Sequence, residues 1–317
     1  MRALAALLLA AVLAGVWMFR PGGEVHVELP SGGSASQATR ILADAGVVRW
    51  GPAFRAYLKL TRSDRSLKPG RYLFHRGDRF SVIVRRLRAG DVEVVRVVIP
   101  EGFMARQIAD RLEAAGVTGS AQFMEYVRRN NLEGFLFPST YFFGRNLSAE
   151  QAAHNMHEEF RRRVEPEFQR AGQDRFNLAQ VVTLASIVQR EARILQEMPM
   201  IAAVYSNRLK KRMRLEADPT VQYALGKDTG QWKKGITYKD LDTQSPYNTY
   251  ANFGLPPGPI CSPGLDAVRA ALKPAEADVI FFVADDSGGH VFTRTLEEHV
   301  AAKQRIKRER RQHGAAK

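Results

Sequence analysis

The chain has 317 residues, 45% of them hydrophobic and 25% charged, so it is long enough for two folded domains with a substantial core. Its 47 Lys and Arg residues outnumber 33 Asp and Glu. The resulting net charge of +14 favours an anionic partner such as nucleic acid, acidic phospholipid or an acidic polymer. The single cysteine, Cys261, excludes an intramolecular disulfide and a cysteine-based metal site, and we expect no metal and no cofactor.

The amino-terminal segment predicts where the chain is located. Ala3–Phe19 is uncharged and apolar between Arg2 and Arg20, and its 17 residues are at the short end of what spans a bilayer as a helix. A cleavable signal peptide processed near Ala14 is the alternative. The apolar run continues past that residue, which favours an uncleaved anchor over residues 1–21. The anchor predicts a single-pass protein of the cell (inner) membrane. Both interpretations place the remaining chain outside the cytoplasm, which disfavours nucleic acid as a partner.

An internal repeat follows the anchor. LPSGGSASQATRILADAGV (29–47) and IPEGFMARQIADRLEAAGV (99–117) align at an offset of 70, and each copy predicts a strand, a Pro-x-Gly turn and a helix closed by glycine. A second helix is expected after each copy, at Gly51–Leu60 and at Ala121–Arg128. A strand at Gly70–His75 is expected to complete the first copy. This strand–helix–helix–strand order over residues 22–92 resembles the LysM-like carbohydrate-binding fold.

The remaining elements are predicted from periodicity and capping residues. Helices are expected at Ser81–Ala89, Ser148–Val164, Leu178–Glu197, Met200–Lys211, 218–225 and 262–272, and strands at Val94–Ile99, Val279–Ala284 and His290–Arg294. Asp218 and Ser262 are interpreted as N-cap residues, each followed by a proline at the first helical position. The predicted fold class is therefore α+β: a membrane helix, a LysM-like βααβ module, a larger α+β domain over 93–312 and a tail over 313–317.

Glu191 interrupts an apolar helical pattern with a carboxylate. The apolar residues of Leu178–Glu197 recur at three, four and seven positions, as in a helix that buries one stripe, and Glu191 lies on that stripe. Burial disfavours the charged form of a carboxyl group and raises its pKa, and a neutral carboxylic acid at neutral pH can act as a general acid in glycoside cleavage, as in the lysozyme example. A buried Glu191 paired with an arginine of another segment explains the same periodicity.

Six segments in chain order resemble the endolytic murein transglycosylase family, the YceG-like (MltG-type) membrane-bound lytic transglycosylases. They are IPEGF-x-A-x-QIA-x-RL (99–112), LEGFLFPSTYFF (132–143), LASIVQREA (184–192), VYSNRL-x4-RLEADPTVQYALG (204–226), SPYNTYANFGLPPGPICSPG (245–264) and FFVAD-x2-GGHVF (281–292). The resemblance implies a lyase that cleaves nascent peptidoglycan strands between N-acetylmuramic acid and N-acetylglucosamine. It leaves 1,6-anhydromuramoyl ends and terminates strand elongation.

The resemblance also implies which residue is catalytic. The family's catalytic glutamate lies in the segment that contains Glu191, and many members carry a second glutamate two positions earlier, where this chain has Gln189. Glu191 alone would then protonate the leaving oxygen and afterwards take the proton of the substrate's own C6 hydroxyl. Glycan strands are the implied substrate, and membrane-bound peptidoglycan synthases are the implied partners.

Other candidate residues have structural explanations of equal or greater weight. Asn248, Tyr247 and Tyr250 could bind acetamido groups and sugar faces, or only fix their own loop. Asp218 and Thr220 could line the cleft, although an N-cap role already accounts for Asp218. Ser186, five residues before Glu191, could support the site or lie on the helix surface.

A second class of function is compatible with the same sequence. The LysM-like module and the basic segment Lys303–Arg311 would suffice for a non-catalytic, membrane-anchored scaffold that binds peptidoglycan. Such a scaffold would bind glycan strands without producing anhydro ends.

Overall fold

The computed structural model describes residues 15, 17–20, 22–30, 32–172 and 175–315. The predicted anchor lies mostly outside these residues. Within the part of the chain that is described, none of the helices is both long and apolar enough to cross a membrane. The chain divides into two compact units, one ending at Arg96 and including Phe142–Leu147, the other formed by Val97–Tyr141 and Ser148–Lys317.

The first unit contains the first copy of the repeat. Its elements are β1 (Glu24–Leu29), α1 (Ala35–Asp44), α2 (Gly51–Leu60), β2 (Gly70–His75) and α3 (Phe80–Ala89). The two strands are antiparallel, with Glu24 opposite His75 and Leu29 opposite Gly70. Side chains that alternate along the strands pack with one face of each helix in a single core that includes Phe54, Phe74 and Leu87. The predicted order of elements is confirmed, while the LysM-like classification remains a prediction.

The second copy of the repeat produces the same order of elements. It consists of β3 (Val94–Val98), α4 (Ala105–Ala114), α5 (Ser120–Arg129) and β4 (Thr140–Gly144), and β3 pairs with β4. Gly46 and Gly116, which follow the first helix of each copy, have φ values of 72° and 68°, a conformation that glycine adopts without strain. The repeat in the sequence is therefore a repeat of βααβ structure, and β4 is the closing strand that the sequence analysis did not identify.

The rest of the second unit is mainly helical. It contains α6 (Ala149–Ala171), α7 (Leu178–Glu191), α8 (Met198–Lys210), α9 (Asp218–Gly226) and α10 (Leu265–Leu272), then β5 (Phe281–Ala284), β6 (His290–Thr293) and α11 (Leu296–Ala315). Helix α7 packs against α8 and α10 at the centre of the largest core. Strands β5 and β6 form an antiparallel hairpin, with Phe281 opposite Thr293. The mixed α and β architecture agrees with the predicted fold class.

Helix α7 differs from its prediction in length and in burial. All eight residues of Val181–Val188 are buried, so this part of the helix is enclosed on every side rather than along one stripe. The helix ends at Glu191, because Ala192 has an extended backbone with ψ of 128°. Leu195, which was expected to continue the stripe, is 55% exposed in a short 3-10 turn.

Both predicted N-caps are wrong. Ala217 occupies the N-cap position of α9, so Asp218 is already within the helix and its carboxylate is free for another contact. Gly264 occupies the N-cap position of α10, while the predicted cap Ser262 is fully buried before the helix begins. Gly226 also lies within α9 rather than after it, and Lys227 follows as the C-cap.

The core of the first unit can be tested with two leucines. Leu87 of α3 is fully buried, whereas Leu60 at the end of α2 is 84% exposed. We expect Leu87→Ala to lower the free energy of unfolding by about 2–5 kcal/mol, because truncation leaves a cavity. Leu60→Ala, the matched control, should change it by about 0.5 kcal/mol or less. Hydrogen exchange of peptides from β2, measured by mass spectrometry, reports on both variants, and equal exchange in the two would contradict this packing.

Candidate active site

The end of α7 places the Glu191 carboxyl group in the wall of a pocket. The eight buried residues before it fix the helix, and the chain leaves the helical path directly after it. Asn177 at the other end accepts a hydrogen bond from the backbone N–H of Gln180, while the Gln180 side chain accepts one from the Asn177 N–H. Glu191 is therefore carried by a capped, tightly packed helix, which restricts where its carboxyl group can lie.

Tyr205 of α8 is the hydrogen-bond partner of Glu191. Its hydroxyl donates to Glu191 Oε1 at 2.7 Å, and the tyrosine itself is only 2% exposed. Burial, together with the nearby carboxylate, raises the pKa of Tyr205 well above its ordinary value, so the phenol remains a donor. Among the described residues, no hydrogen bond reaches the second oxygen, Oε2, which is left to carry a proton toward the pocket.

The alternative of a buried ion pair does not hold for Glu191. Arg208, on α8 one turn after Tyr205, directs its guanidinium at Glu216 with an Nη1–Oε2 distance of 3.0 Å. It also donates to the carbonyl oxygens of Ile280 and Leu215 at 2.8 and 2.9 Å. These contacts hold the guanidinium of Arg208, and Arg190 lies over the Trp232 ring; none of the salt bridges among the described residues includes Glu191.

Burial raises the pKa of Glu191 to about 7, and the negative charge of Asp218 contributes in the same direction. The hydrogen bond from Tyr205 and the positive charges of Arg190 and Arg208 oppose this shift without cancelling it. The last turn of a helix also disfavours a negative charge, because the free carbonyl groups point that way. Glu191 can therefore exchange a proton near neutral pH.

The pocket that contains Glu191 has a volume of about 350 Å³. It is lined by Glu191, Tyr205, Arg208, Leu215, Glu216, Asp218, Tyr250, Phe282, His299 and Lys303. Tyr250 donates its hydroxyl to Asp218 Oδ1 at 2.6 Å. Glu216 adopts a φ of 50°, a conformation that is uncommon for a residue with a side chain and is often found at functional sites.

Of the residues predicted with lower weight, the structure brings Asp218 and Tyr250 to the pocket. Asn248 is fully buried and organises its own loop, donating to the carbonyls of Leu241 and Thr243 and accepting from the Tyr250 N–H. Asn248 therefore fixes its own loop, which was the alternative to sugar binding, and it accepts a hydrogen bond from the backbone of Tyr250.

Thr220, Ser186 and Tyr247 do not line the pocket. Thr220 is buried and bonds to the Ala217 carbonyl and the Thr249 hydroxyl at 2.7 and 2.8 Å. Ser186 is buried rather than on the helix surface, and its hydroxyl accepts the Ile260 N–H at 3.0 Å. Tyr247 packs against Tyr223, with ring centres 4.8 Å apart.

Sequence reasoning missed several residues of the pocket and of its surroundings. Tyr205 and Arg208 lie on a helix whose partners are distant in sequence, so periodicity gave no sign of their role. Gln189 is half-buried and accepts the Gly264 N–H at 2.8 Å, which anchors the start of α10. Arg190 stacks over Trp232, 3.9 Å from the ring centre.

A second carboxyl group with a raised pKa occupies a different environment. Burial raises the pKa of Glu133 to about 7. Both of its oxygens accept hydrogen bonds, from the Ala105 N–H at 2.9 Å and from the Tyr223 hydroxyl at 3.1 Å. Because these donors occupy its carboxyl group, Glu133 is suited to holding α4 and α9 together, whereas Glu191 retains an oxygen without a partner. Among the described residues, no group of side chains has the composition of a metal site.

The fold and the site together define an α+β protein organised around a carboxyl group at the end of a buried helix. The YceG-like family model matches residues 27–305, and the chain belongs to the YceG-like family. The resemblance predicted from the six sequence segments is confirmed.

Three relatives illustrate this membership. The chain is 32% identical over 308 residues to the endolytic murein transglycosylase of Bacillus subtilis, covering 89% of this chain and 84% of that protein. It is 27% identical over 326 residues to the protein of the same name from Streptococcus pneumoniae serotype 2 (strain D39), of which it spans only 59%. A 2.6 Å crystal structure of a YceG-like protein from Listeria monocytogenes is 34% identical, with a TM-score of 0.58 over 88% of this chain and 98% of that one.

The raised pKa of Glu191 predicts a pH-dependent effect on stability. Its pKa is about 7 in the folded protein against an ordinary 4.5, so the folded state holds the proton more tightly and loses stability as pH rises between these values. Glu191→Gln can still accept the Tyr205 hydroxyl but cannot ionise. Its free energy of unfolding relative to wild type should therefore increase by up to about 1.4 kcal/mol per pH unit across this window.

Urea denaturation at a series of pH values measures this difference. Glu276→Gln is the control, because Glu276 is exposed. If the Glu191→Gln and wild-type stabilities remained parallel from pH 4.5 to pH 7.5, Glu191 would not have the pKa that its burial implies.

Proposed function

We propose that the chain is a lytic transglycosylase that cleaves peptidoglycan strands between N-acetylmuramic acid and N-acetylglucosamine. The observation that carries the proposal is the Glu191 carboxyl group, desolvated in a pocket, with one oxygen bound by Tyr205 and the other without a partner. Relatives at 32% and 27% identity carry the name endolytic murein transglycosylase, which supports the same reaction class.

The reaction needs one group that first gives and then takes a proton. Glu191 would donate the proton on Oε2 to the glycosidic oxygen as the bond from that oxygen to C1 of the muramoyl residue breaks. The resulting carboxylate would accept the proton of the C6 hydroxyl while O6 forms a bond to C1, which gives the 1,6-anhydro ring. No water is consumed, and Glu191 returns to its protonated state.

Tyr205 would keep the Glu191 carboxyl group in position through both steps. Its hydroxyl donates to Oε1, so the proton that is transferred resides on Oε2. The same hydrogen bond stabilises the carboxylate after the proton leaves, which limits how far burial alone would raise the pKa of Glu191. Tyr205 is thus a positioning residue that also adjusts the proton affinity of the acid.

Hydrolysis is the second candidate reaction, and a specific observation favours it. Asp218 lines the same pocket as Glu191 and is bound by Tyr250, so the pocket contains a second carboxylate. Hydrolytic glycosidases use such a second carboxylate as nucleophile or base. The products separate the two reactions, because hydrolysis adds one water and transglycosylation adds none.

We also propose that the enzyme acts at the outer side of the membrane, on strands that are still being synthesised. The apolar segment at residues 3–19 would anchor the protein, with the pocket outside the cytoplasm near membrane-bound synthases. Nascent strands would then be the substrate, and cleavage would end their elongation.

Activity should depend on Glu191 and on its protonated state. With uncrosslinked glycan, the wild type should release 1,6-anhydro ends, and kcat should fall as pH rises above about 7, where Glu191 loses its proton. Glu191→Gln should be slower by at least about a hundredfold, while Glu276→Gln retains wild-type activity. Mass spectrometry of the products measures this directly. Products that contain the added water would identify a hydrolase, and sedimentation with glycan without any cleavage would identify a scaffold.

The anchor has its own test. Replacing residues 1–21 with a cleavable export signal should move the protein from the membrane to the soluble extracytoplasmic fraction. Glycan strands should then become longer, because the enzyme is no longer held near the synthases. An unrelated single-pass anchor in place of residues 1–21 should restore the wild-type length distribution, measured by chromatography of isolated strands. Unchanged membrane association without residues 1–21 would contradict the anchor.

A further inference from the structure

Helix α11 contributes a basic wall to the pocket that contains Glu191. His299 and Lys303 both line the pocket and are four residues apart, so they lie on the same face of the helix. Ala302 and Ile306 are 8% and 4% exposed and fix the helix against the unit. His299 is itself 8% exposed, and its ring stacks on Phe281 with centres 5.1 Å apart.

These two side chains differ from the other polar groups of the pocket because neither forms, with the described residues, a hydrogen bond or ion pair of the kind that the other groups form. Arg208 is paired with Glu216, Asp218 is bound by Tyr250, and Glu191 by Tyr205. By contrast, His299 Nδ1 is buried without a hydrogen bond. Lys303 is exposed and forms no ion pair within the described residues, so its ammonium group is available to a ligand. A buried polar nitrogen without a partner, such as His299 Nδ1, is costly, and a water or a ligand group that bonds to it removes that cost.

We infer that His299 and Lys303 form a subsite for a carboxylate on the substrate, placed beside the bond that Glu191 cleaves. This inference rests on the proposed function. A carboxylate has lone pairs for both an ammonium group and an imidazole N–H. It would pair directly with the exposed Lys303, and a rotation of the His299 ring would turn the buried Nδ1 toward the same group. Burial and the nearby positive charges of Lys303 and Arg208 lower the pKa of His299, and an incoming negative charge would relieve that repulsion.

The chemistry of the substrate identifies the carboxylate. N-acetylmuramic acid differs from N-acetylglucosamine by a lactyl ether, which carries either a free carboxylate or a peptide stem with its own carboxylates. The lactyl group is attached to the same sugar whose C1 is attacked. A carboxylate subsite beside Glu191 would therefore place a muramoyl residue, and not a glucosamine residue, at the point of cleavage. It would determine which of the two alternating bonds is cut.

Lys303→Met tests the subsite, with Lys307→Met as the matched control, because Lys307 is exposed on the same helix and does not line the pocket. Each variant is assayed on native glycan and on glycan whose carboxylates have been converted to methylamides. On native glycan, Lys303→Met should raise KM about tenfold, as expected for one lost charge-assisted hydrogen bond. On methylamidated glycan, the KM values of Lys303→Met and Lys307→Met should be nearly equal. Lys303→Arg should restore most of the affinity.

Two glycan preparations identify the source of the carboxylate. An effect on stem-free strands assigns the lactyl carboxylate, and an effect confined to stem-bearing strands assigns a carboxylate of the peptide. Equal KM values for Lys303→Met and Lys307→Met on both preparations, or an equal rise on methylamidated glycan, would overturn the subsite.

A binding measurement separates failure of the subsite from failure of the proposed function. In the Glu191→Gln background, calorimetry with a stem-free muramoyl disaccharide should show about tenfold weaker binding when Lys303→Met is added. If the wild type cleaves glycan but Lys303→Met leaves disaccharide binding unchanged, only the subsite is contradicted. If the wild type does not cleave glycan, the transglycosylase proposal is contradicted, and disaccharide binding still reports whether His299 and Lys303 bind a carboxylate.

Discussion

The desolvation of one carboxyl group is the constraint on which the site depends. Helix α7 is buried on all sides over eight residues and delivers Glu191 to a pocket at the point where the helix ends. A charged carboxylate in that position loses hydration, and the adjacent helix end gives it no favourable dipole. The surrounding structure leaves this cost in place rather than cancelling it with an ion pair, and the result is a carboxyl group that exchanges protons near neutral pH.

The neighbouring polar pairs preserve that state. Arg208 lines the pocket with Glu191, but Glu216 and three backbone carbonyls hold its guanidinium. Tyr250 donates its hydroxyl to Asp218, and the negative charge of Asp218 remains close enough to raise the pKa of Glu191. Tyr205 supplies one neutral hydrogen bond to one oxygen. Arg208 and Asp218 are thus held by other groups, Arg190 lies over Trp232, and Tyr205 contributes without charge, so a proton on Oε2 satisfies the carboxyl group.

The sequence predicted local features well and tertiary ones poorly. The repeat and its glycines predicted β1, α1, α2 and β2, because turn and cap signals are local. The apolar period predicted helix α7, although the helix is buried on all sides rather than along one stripe. The end of α7 was missed, since neither glycine nor proline marks Ala192. Asp218 was taken for a cap because it precedes proline, whereas the chain makes Ala217 the cap and points Asp218 toward Tyr250. Tyr205, His299 and Lys303 reach the pocket from distant segments, so only the packing of α8 and α11 shows their role.

Direct titration of Glu191 tests the account at its centre. Carbon-13 NMR of glutamate-labelled protein, with the Glu191 signal assigned by its loss in Glu191→Gln, should show a side chain that titrates with a pKa of about 7. In Tyr205→Phe the same signal should titrate at higher pH, because the hydrogen bond that favours the carboxylate is gone. A Glu191 pKa near 4.5 that Tyr205→Phe leaves unchanged would contradict the account.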